Sequence, residues 1–280
     1  MISDHKIPLG HWMEAGVDWL TLHASGFFDA ISFLLESIIM VLVDVFKWFP
    51  PAVPIIVTAA LAWWLHRSLS LVIFIIAALL LILNLGYWQE MLETFVLVFA
   101  ATTISVLIGV PLGIMAAHRP WMYTVMRPIL DLMQTVPTFV YLIPTLVLFG
   151  LGIVPGLIST IIFAIAAPIR LTYLGVTRVP EALIEAGKAF GASKMKLLFK
   201  VELPAALPSI MAGITQCIML SLSMVVIAAL VGADGLGKPV IRALNTVNIS
   251  QGFEAGLAIV LVAIILDRLC KAPNSKEVSS

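Results

Sequence analysis

EAGKAFGASKMKLLFKVELP, residues 185–204, gathers four lysines, two glutamates, two glycines and a closing proline in a chain that is 61% hydrophobic and only 11% charged. Its surroundings set the class. A mean hydropathy of +1.09 over 280 residues is far above that of a soluble domain. The chain reads as an all-α, polytopic membrane helix bundle, since only helices and closed barrels satisfy every backbone polar group in lipid. A formal net charge of zero says nothing about nucleic acid or acidic ligands, since in a membrane protein the placement of charges matters and not their sum; no nucleic-acid partner is expected. The two cysteines, Cys217 and Cys270, have no CxxC or metal spacing and read as packing residues. The first residues lack the basic flank and continuous apolar run of a signal peptide, so insertion by the internal spans is expected.

Working outward from the loop with roughly 20 apolar residues per crossing, seven segments emerge: 55–65, 69–85, 91–117, 122–150, 157–176, 207–231 and 255–266. Residues 27–48 are apolar but carry Asp29, Ser32, Glu36, Asp44 and Lys47 along one helical face. That stripe favours an amphipathic helix in the interface, with a span packed acidic face inward as the alternative. Lys and Arg concentrate in cytoplasmic loops. If residues 185–204 are cytoplasmic, twelve of the sixteen basic residues fall inside: Arg67, Arg119, Arg127, Arg170, Arg178, the four loop lysines, Arg268, Lys271 and Lys276. Only Lys6, Lys47, Lys238 and Arg242 fall outside. The expected layout is an external segment 1–49, two accessory spans in 50–86, a core transmembrane domain 87–270 with a cytoplasmic loop at 178–206, and a cytoplasmic tail 271–280.

Local chemistry predicts two short helices in the loop. Glu181, Ala182, Glu185, Ala186 and Ala189 favour a first helix after Pro180, and Gly191 can take the left-handed conformation that ends it. A second is expected from about Ser193 to Lys200, terminated by Pro204, with Pro208 opening the next span. On charge alone the loop would be an ordinary basic connector held to anionic lipid by its lysines. Its spacing is more specific. Glu185, Ala186 and Gly187 are followed by three residues and Gly191, then by nine residues and Val201, then by Leu203 and Pro204.

This arrangement resembles the EAA loop of the permease subunits of ABC importers, departing from it in Gly187 at the third small position and in Val201 for isoleucine. DLMQTVPTFVYLIP (131–144), LSMVVIAALVGADGLG (222–237) and IVLVAIILDRL (259–269) are similar to stretches of the glycine betaine, proline betaine and choline permeases. The resemblance covers roughly residues 90–270. It implies a type I importer permease fold in a bacterial inner membrane, with the N-terminus outside and the C-terminus inside. It also implies two copies as a homodimer, each docking an ABC ATPase subunit, and an external substrate-binding protein that delivers an osmoprotectant. The chain has no GxxxxGK[ST] phosphate loop. ATP and Mg are therefore expected on the partner ATPase, and neither a cofactor nor enzymatic activity is expected of this chain. By the resemblance, Glu185 to Gly191 contact the ATPase while Leu203 and Pro204 fix the loop's exit.

Polar residues inside spans usually face the bundle interior. Asp131, Gln134, Thr135 and Thr138 share one helical face, with Pro137 and Pro144 set to bend that helix; Gln216 and Ser223 share another. They are candidates for a translocation pathway or a dimer-facing gate, against the plainer reading of interhelical hydrogen bonding. The GxxxG pairs Gly109/Gly113 and Gly152/Gly156 carry little weight among 18 glycines, the second falling in an expected loop. Gly235-Leu-Gly237 lacks the strand context of a dinucleotide site. Trp63, Trp64, Trp88 and Trp121 read as interfacial anchors. Tyr87, Trp88, Tyr123 and Tyr141 scatter too far in depth to cage a quaternary ammonium ion. An ion-coupled secondary transporter and an osmotically gated channel are the competing classes, and both would dispense with an ATPase.

Overall fold

In the computed structural model, residues 8–271 are described; the first seven residues of the expected external segment and the expected tail beyond Lys271 lie outside them. Every regular element among the described residues is helical. Helix α1 runs Leu9–Trp48 with a kink at Ala24. It starts well before residue 27 because no proline interrupts the chain between Pro8 and Pro50. Helices α2 (Ala52–His66) and α3 (Leu69–Asn84) form a hairpin. Arg67 turns it at a positive φ of 51°, and the Ser68 hydroxyl caps α3 by accepting from the Leu71 N–H at 3.4 Å. At 1.5 Å per residue these two helices reach about 22–24 Å, short of a ~30 Å hydrocarbon core.

Helix α4 (Trp88–His118) opens the core. The apolar segment expected over residues 122–150, with its prolines set to bend it, is broken into separate helices. Helix α5 (Pro120–Thr135), a 3₁₀ turn at Thr138–Tyr141 and α6 (Leu142–Phe149) meet at a bend of 106°. Pro137 supplies the break, since it cannot donate and forces Val136 into extended backbone. The Tyr141 hydroxyl then donates at 2.9 Å to the Met133 carbonyl, which Pro137 leaves without its helical donor, and lies 3.2 Å from the Leu132 carbonyl, which also accepts from the Val136 N–H. Helices α7 (Ile153–Ala164) and α8 (Ala166–Thr177) follow as one path, and α9 (Glu181–Ala189) forms the first loop helix.

Pro204 does not terminate the second loop helix. Helix α10 (Lys194–Leu197), a π turn at Leu198–Glu202 and α11 (Leu203–Ala228) form one run, Lys194–Val231. The Leu203 N–H reaches back five residues to the Leu198 carbonyl. That widened turn takes up Pro204, in the first turn of α11, which has no N–H to give. Helices α12 (Gly237–Thr246) and α13 (Ile249–Cys270) complete the chain. By length and composition five helices could cross a membrane, or six with the bent pair. Helices α2 and α3, counted in the expected seven crossings, are apolar but only 15 and 16 residues long.

The core packs α4, α7, α8 and α11 at close range. A Cβ on Gly113 would lie 2.7 Å from the Ile169 carbonyl oxygen and from Thr172 Cβ, and one on Gly156 would lie 2.8 Å from Ala228 Cβ. The Gly109/Gly113 pair thus marks a helix contact; of the second pair, Gly156 sits inside α7 and makes one, whereas Gly152 precedes the helix and a Cβ there would meet nothing within 4 Å. Between α11 and α12, Gly235 (φ +114°) brings the chain against α4, where the Leu236 N–H donates to the buried Thr94 hydroxyl at 2.8 Å. The Gly235-Leu-Gly237 segment is therefore a packing turn. Trp88 is buried in the main cluster rather than anchoring at an interface, whereas Trp63, Trp64 and Trp121 are exposed.

Helix α1 crosses one end of this bundle. Phe28 packs edge-to-face on Phe149, the last residue of α6, and Lys47 pairs with Glu93 near the start of α4 at 2.7 Å. Both of those partners sit at the bundle end where the Gly152 N–H donates to the Val231 carbonyl, opposite to the loop. Nineteen residues of helix separate Phe28 from Lys47, about 28 Å, yet both reach the same end.

Candidate coupling loop and translocation face

The loop stands clear of the bundle. Every residue of α9 except Ile184 and Gly187 is exposed, and Leu183, Phe190, Met195 and Phe199 present apolar side chains to the outside. Gly191 adopts φ +73° and closes α9: its N–H donates to the Lys188 carbonyl at 2.9 Å, and the Ala192 N–H donates to the Gly187 carbonyl at 3.0 Å. Ser193 caps the next turn, its hydroxyl accepting from the Lys196 N–H at 3.4 Å. Glu185 and Ala186 are exposed on α9. Gly187 points the other way. A Cβ there would sit 2.6 Å from Leu197 Cδ1 and 3.6 Å from Val201 Cγ2, so this position, where the EAA pattern is broken, packs the two loop helices together.

A second contact ties the loop to the bundle. Glu202, in the π turn, is only 6% exposed, and its Oε2 lies 2.8 Å from His118 Nε2 at the end of α4. His118 Nδ1 lies 2.9 Å from the Ile114 carbonyl, which suits an N–H donor and orients the ring. The alignment at Oε2 falls short of a formed hydrogen bond, so the two groups meet as a close polar contact. Leu203 and Pro204 follow directly, already inside the long helix.

The predicted pathway residues divide. Asp131, Gln134 and Thr135 lie exposed on α5, whereas Thr138 falls beyond the bend, in the 3₁₀ turn, and leaves their helical face. Asp131 Oδ1 accepts from Arg170 on α8 at 2.6 Å. The Thr135 hydroxyl donates to the Asp131 carbonyl at 2.9 Å, and the Ser223 hydroxyl to the Met219 carbonyl at 3.0 Å, so both are satisfied within their own helices. Gln216, Met219 and Ser223 nevertheless form one exposed stripe on α11. No aromatic cage forms from the candidates: Tyr123 stacks on Tyr173 with centroids 3.5 Å apart, Trp88 is buried and Tyr141 caps α5.

The family of binding-protein-dependent transport system inner membrane components matches residues 109–271. The chain belongs to this family. The glycine betaine transport system permease protein OpuAB of Bacillus subtilis is 46% identical over 274 residues, covering 98% of this chain and 97% of that one. GbuB of Listeria monocytogenes, a glycine betaine/carnitine transport permease protein, is 45% identical over 98% of each chain. ProW of Escherichia coli, a glycine betaine/proline betaine permease protein, is 43% identical over 96% of this chain and 76% of its own. Among solved structures, a chain of the inward-facing MetNI methionine ABC transporter is similar with a TM-score of 0.55 and 26% identity, over 62% of this chain and 88% of that one. The chain is thus a multi-pass permease subunit of an ABC importer, with the type I importer fold, and neither the secondary-transporter nor the channel reading is favoured.

Four features of the permease escaped sequence reasoning. Arg170 carried a usable signal, a lone charge inside an apolar run, which was used only for orientation. The Thr145–Ser159 hydroxyl contact at 2.8 Å between α6 and α7, the Tyr141 cap and the His118–Glu202 contact join residues at least eight positions apart. Nothing in local periodicity marks such pairs.

Proposed function

We propose that this permease imports a quaternary ammonium osmoprotectant, of the glycine betaine, proline betaine or choline class, by alternating access. It works as a homodimer, with one ABC ATPase on each loop and an external binding protein delivering substrate. The observation that carries the reading is the loop. A glycine-ended helix stands clear of the bundle, offers Glu185, Ala186 and an apolar fringe to a partner, and is fastened from behind by Gly187 and Glu202. Closure of an ATPase pair on ATP and Mg would push on α9 and act on the bundle as a rigid body. The substrate class is supported by the relatives, which recur as glycine betaine permeases across three genera.

The loop end is then cytoplasmic, and the end crossed by α1 is external. On that side α1 lies along the outer interface, since Phe28 at its middle and Lys47 near its C-terminus meet the same end of the bundle. The Gln216–Met219–Ser223 stripe faces a second copy or a wet pathway, because a polar side chain turned to lipid is costly. Asp131 and Arg170 neutralise each other beside that route. Co-purification of the ATPase with the permease and uptake of labelled substrate in membrane vesicles test the reading. Glu185→Lys or Gly191→Trp should abolish both, and retention of both would sink it. Competition of uptake by choline against glycine betaine assigns the substrate.

A further inference from the structure

The α2–α3 hairpin does not seal against the core. Between α2, α4 and α13 runs a cleft of about 460 Å³, lined by Leu61, Leu65, Phe99, Leu107, Leu266 and Leu269 among other apolar groups. A second cavity of about 250 Å³ continues it toward Pro54 and Trp88 and shares Thr58, Leu61 and Phe95 with the first. The larger volume falls within the ~300–1,000 Å³ typical of ligand pockets. Along α4 it extends from Phe95 to Leu107, about 18 Å at 1.5 Å per residue. That length is close to the ~15 Å depth of one leaflet of a ~30 Å hydrocarbon core.

The cleft has one charged mouth. Leu65 and Cys270 line it at the end that faces the loop side of the bundle, and the next polar residues along the two helices are His66 and Arg67 on one and Lys271 on the other. Arg67 and Arg268 are exposed and have no carboxylate partner among the described residues, while Lys271 pairs with Asp267 at 2.6 Å. His66 Nε2 is buried without a hydrogen-bond partner. Arg67 and Lys271 against the single carboxylate of Asp267 leave the mouth net positive, at the depth where a headgroup phosphate would sit. An aqueous metabolite has no reason to enter a cleft so nearly free of polar lining, and a protein helix is too wide for a gap of this volume.

We propose that this cleft is a site for one acyl chain of an anionic phospholipid of the inner leaflet, its headgroup held by Arg67 and Lys271. The leaflet assignment rests on the cytoplasmic placement of the loop. The lipid completes the contact between the accessory hairpin and the core, so membrane composition acts directly on that junction.

Native mass spectrometry of the detergent-purified permease, offered phosphatidylglycerol and phosphatidylcholine, tests the site without any ATPase. Wild type should retain about one phosphatidylglycerol per chain in preference to phosphatidylcholine. Arg67→Ala with Lys271→Ala should lower phosphatidylglycerol retention about tenfold, to the level of phosphatidylcholine. Thr103→Trp, which fills the cleft, should remove both lipids, and a preserved melting temperature shows that the variant is folded. Equal retention of the two lipids by wild type, or unchanged retention by the charge variant, overturns the proposal. So does a disulfide between two copies of Thr103→Cys, which would place a second copy in the cleft. Labelling of Arg67→Cys by an impermeant maleimide from outside intact cells would instead overturn the leaflet and the loop's orientation, while preferential retention of the anionic lipid would stand.

Discussion

Two apolar helices, Gly10–Trp48 and Lys194–Val231, are matched in length at 39 and 38 residues, yet only 11% of the most apolar window of the first is buried against 44% of the second. The difference lies in side-chain size. On its buried face the second carries Ala206, Gly213, Cys217, Ser221 and Ala228, which let α4, α7 and α8 approach closely. Buried positions on the first are Ile39 and Val43 only, and its glycines, Gly10, Gly16 and Gly26, meet nothing within 4 Å. In lipid, hydropathy alone does not bring helices together; close contact of small residues does. Apolar length therefore describes where a helix can live, and small-residue spacing describes what it packs on.

The contrast is open to direct attack. Gly237→Val should have the largest effect, because its Cβ would run into the Val225 carbonyl oxygen and lie 2.9 Å from Ala229 Cβ. A loss of about 3 kcal/mol or more is expected, read as a collapsed thermal melt in detergent. His118→Ala comes next. It leaves the buried Glu202 carboxylate without its imidazole partner and should lower stability by about 1–2 kcal/mol, the half-exposed histidine keeping the value below that of a fully buried pair. Because the contact joins α4 to the loop, the measurement that matters is the ratio of substrate transported to ATP hydrolysed, which should fall while the ATPase still co-purifies. Gly191→Ala costs only the left-handed backbone, about 1 kcal/mol, since no atom lies within 4 Å of the added Cβ. Uptake should drop modestly, against the complete loss expected for Gly191→Trp. Gly26→Ala in α1 should be the smallest, neutral or stabilising by under about 1 kcal/mol from helix propensity alone. A melt as damaged by Gly26→Ala as by Gly237→Val would break the comparison.

The legible parts of the fold were those written in neighbouring residues. Pro180, the alanine-rich turn and Gly191 predicted α9 and its end, because caps and left-handed glycines act over a few positions. Pro137 predicted the bend for the same reason, but not its 106° angle, which carried Thr138 off the face of Asp131. Pro204 misled, since the sequence offers no local sign that a π turn would let the helix run through it. Gly109, Gly113 and Gly156 pack closely on neighbouring helices while Gly152 meets nothing, a distinction that composition cannot make.

A membrane bundle, its basic loop and the fixed offsets from Glu185 to Pro204 are readable from residue order, since hydropathy, helix capping and turn chemistry are short-range. Packing alone revealed that α1 crosses one end of the bundle, that Gly187 faces Leu197 and that Glu202 reaches His118. Those three facts depend on distances between segments far apart in the chain, and such distances follow from how all the helices fill space together.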